Sequence, residues 1–232
     1  MPAKNVVITG ATGGIGSETS RRLRRDGYNV IGLDQVRPSP GVSDVFLPVD
    51  LRDSSEVEKA CSEIVGAYRP IWGFVSSAGI YPIVPLKEYS LDLWDEVQSV
   101  NVRSVFQIVQ LLSPAFAKGG RIVLIGSGAG HIGSRDIGYS ASKAALLGMV
   151  RTLARSLAPA GILVNAVCPG LVATPMSARM KTEDVQDYMT RIPLGRKGTP
   201  GEVAVCVSFL LEEENSYMTG ASLDVNGGLY TR

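Results

Sequence analysis

Short apolar runs and longer amphipathic stretches take turns along this chain. Val6-Val7-Ile8, Asn29-Val30-Ile31-Gly32-Leu33 and Ile71-Trp72-Gly73-Phe74-Val75 are nearly continuous in apolar character and are bounded by turn residues. Runs of that length without alternation read as strands buried on both faces, as in a parallel sheet. By this pattern strands are expected near 5–9, 29–33, 44–48, 71–76, 121–126, 162–167 and 221–225. Helical periodicity is expected near 14–26, 54–67, 91–117, 138–158 and 200–212, with a shorter piece near 182–190. Strand and helix alternate, which argues an α/β fold: a doubly wound parallel sheet of about seven strands with helices on both faces. Pro38-Ser39-Pro40-Gly41 reads as a turn, and no repeat or linker divides the chain. The stretch from about 171 to 199 carries scattered Met, Pro and Gly. So long an excursion before the last helix is expected to be a mobile lid over a ligand.

Composition narrows the field. The 232 residues suit one domain, 1–232, and 45% apolar content with a net charge of +1 allows a sizeable core. The near-neutral balance implies no polyanion partner. Arg21, Arg22, Arg24 and Arg25 read as a solvated helix face; a nucleic-acid footprint needs more basic surface and interleaved aromatics. Cys61, Cys168 and Cys206 are scattered, without disulfide or metal-ligand spacing, as expected of free thiols in a reducing compartment. The first strand begins at once, without room for a signal peptide, and no apolar run is long enough to span a bilayer. The cytoplasm is therefore the default expectation, with no membrane partner and no metal.

The first candidate for chemistry follows the first strand. Thr9-Gly10-Ala11-Thr12-Gly13-Gly14-Ile15-Gly16 joins that strand to a helix. Glycines let a backbone approach phosphates, and the free N–H groups and dipole of a helix N-terminus favour negative charge. Asp34 closes the second strand about 20 residues later, where a ribose-binding carboxylate belongs. The second candidate is Tyr139 with Lys143, an i,i+4 pair on one helix face. At roughly 4 Å and an effective dielectric of about 20, an ammonium would favour a phenolate by about 4 kcal/mol. That is roughly three pKa units before desolvation, enough for a phenol to exchange a proton near neutrality.

The spacing T-G-x-x-x-G-x-G and the Y-x-x-x-K pair together resemble the short-chain dehydrogenase/reductase family, over nearly the whole chain. By that resemblance Ser127, in Ile125-Gly126-Ser127-Gly128, and Asn101, in Asn101-Val102-Arg103-Ser104, join Tyr139 and Lys143 as a catalytic set. Cys168-Pro169-Gly170-Leu171-Val172-Ala173-Thr174 looks like the segment that embraces a nicotinamide, and Asp224-Val225-Asn226-Gly227-Gly228 like the closing strand. The resemblance implies a Rossmann-like sheet and a dinucleotide held by Gly10, Thr12, Gly14, Ile15, Gly16, Asp34, Asp50, Leu51, Ala78, Gly79, Tyr139, Lys143, Pro169, Gly170, Val172 and Thr174. Asp50 would accept from the adenine amino group, Lys143 would also hold the nicotinamide ribose, and Asn101 would hold a water linking Lys143 to solvent. Two departures stand out. Ser76-Ser77-Ala78-Gly79 replaces the family's asparagine-containing turn, putting local hydrogen bonding in doubt, and Ser127 precedes Tyr139 by twelve residues, one fewer than in many members.

The expected activity is hydride transfer between NAD(H) and a secondary alcohol or ketone, such as a small polyol, sugar or cyclic alcohol. NAD is expected over NADP because Asp34 would repel a 2′-phosphate. A 3-oxoacyl carrier-protein reductase using NADPH is the alternative within the class, and a non-catalytic dinucleotide sensor is the alternative outside it. His131 is expected as a loop residue near the substrate, and Arg135 and Asp136 as either substrate contacts or water-facing side chains. A homo-oligomer, with a tetramer the leading expectation, would form through the helices near 91–117 and 138–158.

Overall fold

The computed structural model describes residues 3–231. Seven strands, β1 (Asn5–Thr9), β2 (Asn29–Asp34), β3 (Val45–Pro48), β4 (Ile71–Ser76), β5 (Phe116–Ile125), β6 (Leu163–Pro169) and β7 (Ser222–Val225), form one sheet. Their order is β3-β2-β1-β4-β5-β6-β7, and every pairing is parallel. Residues along β1 alternate between two cores because successive side chains point to opposite faces. Val7 joins Ile31, Phe74, Ile122 and Leu124 on one face, while Val6 and Ile8 join Val30, Val75 and Val123 on the other.

Helices cover both faces. The first core is closed by α2 (Ser54–Ala67), α4 (Ser104–Leu112) and α6 (Ile137–Leu157) through Ile64, Ile108, Leu112, Leu146 and Val150. The second is closed by α1 (Gly14–Arg25) and α9 (Pro200–Leu211) through Leu23, Val203, Val207 and Leu210. Helix starts follow local chemistry. Asp53 caps α2 by accepting from the Ser55 and Glu56 amides, and Thr199 with Glu202 forms a reciprocal capping box on α9. Among the described residues, no helix is long and apolar enough to cross a membrane.

The chain order reverses between β1 and β4, and an open α/β sheet offers a ligand crevice at such a switch point. The ends of the two strands come together there. Gly10 has φ +69°, and a Cβ on it would lie 2.6 Å from the Ala78 amide nitrogen. Only glycine fits both demands.

The helix expected along 91–117 forms as a continuous helical run over 91–115, but its pitch is not uniform: α3 (Leu91–Gln98) passes through a π-helical turn at Ser99–Arg103 into α4 and ends in a 3-10 turn at Ser113–Ala115. The chain then enters β5 at Phe116, five residues before the expected start at 121, and its register against β4 shifts between Ile71 and Gly73. Two short helices were not anticipated, α5 (Ala129–Ile132) and α7 (Pro175–Ala178). The segment 171–199 holds α7 and α8 (Thr182–Arg191) and is tied back by pairing between Val172 and Gly198.

Candidate active site

The glycine-rich turn delivers the N-terminus of α1 to the sheet edge. Gly13 occupies the N-cap position with no side-chain cap, and the first turn carries no acid. A Cβ on Gly16 would stand 2.0 Å from the Gly10 carbonyl oxygen, so helix and turn touch backbone to backbone. The result is a cradle of free N–H groups suited to an anion. A cavity of about 510 Å³ opens over it. Gly10, Thr12, Gly14, Ile15, Gly16, Asp34, Asp50, Leu51, Ala78, Gly79 and Thr174 all line that cavity.

Two carboxylates in this cavity are already oriented. Asp34 Oδ2 accepts from both the Thr12 amide (2.9 Å) and the Thr12 hydroxyl (2.7 Å), and Oδ1 accepts from the Gln35 amide. Asp50 is gripped by Arg52, whose Nη2 lies 2.6 Å from Oδ2. Hydrogen bonding by Arg52 holds the Asp50 carboxyl well below its usual range, at about 2. Arg52 also reaches Glu96, and both residues line the cavity, although neither was anticipated as a site residue. Their pairing brings together α3 and the loop after β3, and no local motif announces it. At the Ser76-Ser77 departure, Thr9 supplies the missing partners: its carbonyl accepts from the Ser77 amide and its hydroxyl from the Ala78 amide.

A smaller cavity of about 140 Å³ adjoins the first and shares Ile15, Ser77, Gly79, Thr174 and Met176 with it. Ser127, Tyr139, Lys143, Pro169, Gly170 and Val172 line this chamber. The rest of its wall is largely apolar, from Ile132, Leu171, Met176, Met180 and Leu229, with Tyr81 and Tyr188. Among the described lining residues, Lys143 is the only Lys, Arg, His, Asp or Glu.

Tyr139 sits in the first turn of α6, its ring 4.5 Å from that of Tyr81. Burial pushes its phenol up to about 12, and a hydrogen bond with Ser127 pulls it partly back. Ser127 Oγ also accepts from the Ala129 amide at 3.1 Å. Lys143 is buried, and burial drives its ammonium down to about 8. This differs from the expected phenolate-stabilising pair. The ammonium donates to the Ile125 carbonyl at 2.8 Å and stands 5.6 Å from the centre of the Tyr139 ring. In so dry a chamber desolvation dominates, and each group is pushed toward its neutral form.

Asn101 lines neither cavity. It lies behind Gly79, 1% exposed, on the π-helical turn. Its Oδ1 accepts from the Ile80 amide, and its Nδ2 donates to the Ile80 carbonyl and to Ser142 Oγ. The widened turn thus holds the loop after β4 against α6. Such π turns are frequent at functional sites.

Asp136 departs from both of its expected environments. It neither lines the chamber nor faces water: it is fully buried as the N-cap of α6. Its Oδ1 accepts from the Tyr139 amide (2.8 Å) and the Tyr89 hydroxyl (3.1 Å), and its Oδ2 from the Ile83 (2.9 Å) and Val84 (3.2 Å) amides. Ile83 has φ +64°, a conformation that is costly for a β-branched residue. Arg135 pairs with the buried Asp184 of α8 at 2.7 Å. His131 turns away from the chamber toward Tyr230 and Asp224.

Lys143 has a measurable consequence for stability. Its folded-state value near 8 lies below the ordinary 10.5. Between those values the unfolded chain binds a proton that the folded chain does not, so stability rises with pH across the window. Below pH 8 the folded state carries the whole desolvation cost, about 3 kcal/mol, partly offset by other contacts. Lys143→Met is therefore expected to raise the unfolding free energy at pH 7 by about 1–3 kcal/mol. It should also flatten the rise between pH 8 and 10. Urea unfolding at pH 7 and 9.5 checks both, and a loss of stability at pH 7 contradicts the assignment.

Comparison with known proteins adds an independent line. A family profile described as enoyl-(acyl carrier protein) reductase matches residues 10–230. The chain is 34% identical to a 3-oxoacyl-[acyl-carrier-protein] reductase of Thermotoga maritima, over 99% of this chain and 98% of that protein. It is 36% identical to an acetoacetyl-CoA reductase of an Acinetobacter species, over 98% of each. Among solved structures, a short-chain dehydrogenase/reductase of glucose/ribitol dehydrogenase type from Brucella melitensis superposes with a TM-score of 0.92 at 32% identity, over 99% of this chain and 97% of that one. An aldohexose dehydrogenase of Thermoplasma acidophilum gives 0.89 at 28% identity, over 98% and 94%.

Proposed function

The chain belongs to the short-chain dehydrogenase/reductase family, and on that premise we propose that it transfers a hydride between NAD(H) and a small, uncharged secondary alcohol or ketone. One observation carries the reading. Ser127, Tyr139 and Lys143 meet in an otherwise largely apolar chamber that opens into a larger cavity floored by a helix N-terminus and edged by Asp34.

The cradle at Gly13–Gly16 fits a pyrophosphate, and Asp34 fits a ribose diol. When bound, the dinucleotide supplies the hydride chemistry, and the protein supplies position and a proton. Ser127 would hold the substrate oxygen. Tyr139 would give that oxygen its proton in reduction and take it back in oxidation. Lys143 would hold the nicotinamide ribose, and Pro169, Gly170, Val172 and Thr174 would border the nicotinamide. Asn101 would act by fixing the Ile80 backbone beside the chamber and would carry protons outward through a water. The segment 171–199 would close over the substrate, latched by Arg135 and Asp184.

The chamber's volume of about 140 Å³ and the absence of a second ionisable Lys, Arg, His, Asp or Glu among its described lining residues favour a polyol, sugar or cyclic alcohol. The sugar dehydrogenases among the structural neighbours agree with that chemistry. A second reading, reduction of a 3-oxoacyl thioester, is favoured by the activities named for the relatives from Thermotoga and Acinetobacter. Self-association is part of the proposal, with a tetramer the leading expectation. Phe106 on α4 is 54% exposed, and α6 presents the small exposed residues Ala144, Ala145 and Gly148.

The deciding experiment assays purified protein against small secondary alcohols, polyols and sugars with NAD and with NADP, and against 3-oxoacyl thioesters with NADH and NADPH. Turnover of the small alcohols with NAD supports the first reading. Thioester reduction without any activity on small alcohols selects the second. No turnover of either class, with tight dinucleotide binding, would indicate a sensor.

A further inference from the structure

Behind the chamber, on the far side of the Ser127–Gly128 turn, three side chains of metal-binding chemistry converge from distant parts of the sequence. They are His131 of α5, Cys168 near the end of β6 and Asp224 of β7. One ligand atom from each lies within 4.8 Å of the other two, and His131 Nε2 stands 3.9 Å from Asp224 Oδ1. The thiol is buried, and the imidazole is 14% exposed. We propose that this cluster binds a zinc(II) ion, at a site separate from the hydride-transfer chamber, and that occupancy slows the enzyme.

The ligand set favours this ion. One thiolate, one imidazole and one carboxylate are the donors zinc takes, and hard cations such as magnesium do not seek sulfur. Bonds of about 2.0–2.3 Å in a tetrahedron put neighbouring ligand atoms roughly 3.3–3.8 Å apart. The cluster needs to contract by no more than about 1.5 Å to meet that geometry. Thiolate and carboxylate together balance the dication, and three protein ligands leave a fourth position for water. Asp224 already has an outer-shell partner: the Tyr230 hydroxyl donates to Oδ1 at 2.6 Å. Bonds of this kind orient a ligating carboxylate, and losing one typically costs about 10- to 100-fold in affinity.

Coupling to turnover follows from where the cluster stands. A Cβ on Gly126 would lie 2.8 Å from Cys168 Sγ, and one on Gly128 would lie 2.8 Å from the Tyr230 ring. The turn that carries Ser127 therefore rests directly on the cluster. Drawing Cys168 and His131 toward an ion pulls on Pro169 from one side and on α5 from the other. Both movements shift the Ser127 hydroxyl relative to Tyr139. None of the three ligands lines the chamber.

The test uses cobalt(II) as a spectroscopic substitute, added to the purified full chain after chelator treatment. One equivalent is expected to bind with a thiolate-to-cobalt absorption band, and zinc(II) is expected to displace it. Cys168→Ser should abolish the band, and His131→Gln and Asp224→Asn should each weaken binding at least about tenfold. Tyr230→Phe removes only the outer hydroxyl and should cost about tenfold, which provides a mild variant if a ligand substitution disturbs folding. Zinc should slow the unmodified enzyme and spare His131→Gln. The proposal is overturned if no thiolate band forms, if the band survives Cys168→Ser, or if His131→Gln and Asp224→Asn bind as the unmodified chain does. It is also overturned if zinc binds stoichiometrically without slowing turnover.

Discussion

Tyr139→Phe is expected to lower kcat by at least about a hundredfold while dinucleotide affinity stays within about twofold, since a positioned acid–base group typically contributes 10²–10⁴-fold. The substitution deletes one oxygen. The ring remains to stack on Tyr81 at 4.5 Å, and the α6 N-cap is untouched because Asp136 bonds the backbone amide. Any loss therefore reports on the proton and not on packing. Burial holds the phenol protonated throughout the neutral range. The free protein is thus set as a proton donor, so reduction should run at neutral pH, and oxidation should speed up as pH rises. Stopped-flow turnover in both directions, paired with titration of NADH fluorescence, separates these effects. Retention of more than about a tenth of the rate would remove Tyr139 from the role.

Asp34→Ala is expected to reverse or erase a preference for NAD. The carboxylate is held by two Thr12 donors and the Gln35 amide, so it meets a ribose with its orientation already set. A hydrogen bond to a charged group contributes about 1.5–3 kcal/mol, or roughly ten- to a hundredfold in kcat/KM for NAD. The same charge repels a 2′-phosphate carrying nearly two negative charges, so NADP should gain as NAD loses. The ratio of kcat/KM values for the two cofactors is the measurement. If it is unchanged, or if the unmodified enzyme already accepts both equally, Asp34 does not select the cofactor.

The parts of the molecule legible in the sequence are those set by local pattern. The apolar run at Ile71–Ser76 and the periodicity at 54–67 coincide with β4 and α2. The glycine turn, Asp34, Ser127 and the Tyr139–Lys143 pair each follow a strand or open a helix, so sheet topology alone brings them to one edge. What pattern could not show depends on contacts across the fold. The π-helical turn at Asn101 leaves the apolar period of 91–117 almost intact, because one wider turn shifts it by a single residue. The early start of β5 arises from a register shift over the Lys118-Gly119-Gly120 stretch, which local propensity reads as a turn. The Tyr139–Lys143 spacing gives a shared helix face correctly, but it says nothing of the Ile125 carbonyl that takes the ammonium. Nor does any spacing join His131, Cys168 and Asp224, which lie on three separate elements.

Asp136 has a consequence for anyone who would reshape this enzyme by exchanging loops. Its one carboxylate serves four clients: the Tyr139 amide, the Tyr89 hydroxyl, and the Ile83 and Val84 amides beside the unusual Ile83 backbone. The loop after β4, which brings Tyr81 over Tyr139, is therefore not an independent module. A graft of residues 80–89 from a relative would replace Tyr81 in the chamber wall but not carry across the anchor that sets the loop's backbone. Conversely, a graft of the 128–136 loop would remove the anchor and release a segment more than forty residues away in sequence. The two loops form a single cassette with its fastener at one end, and a transfer of specificity would have to move both together.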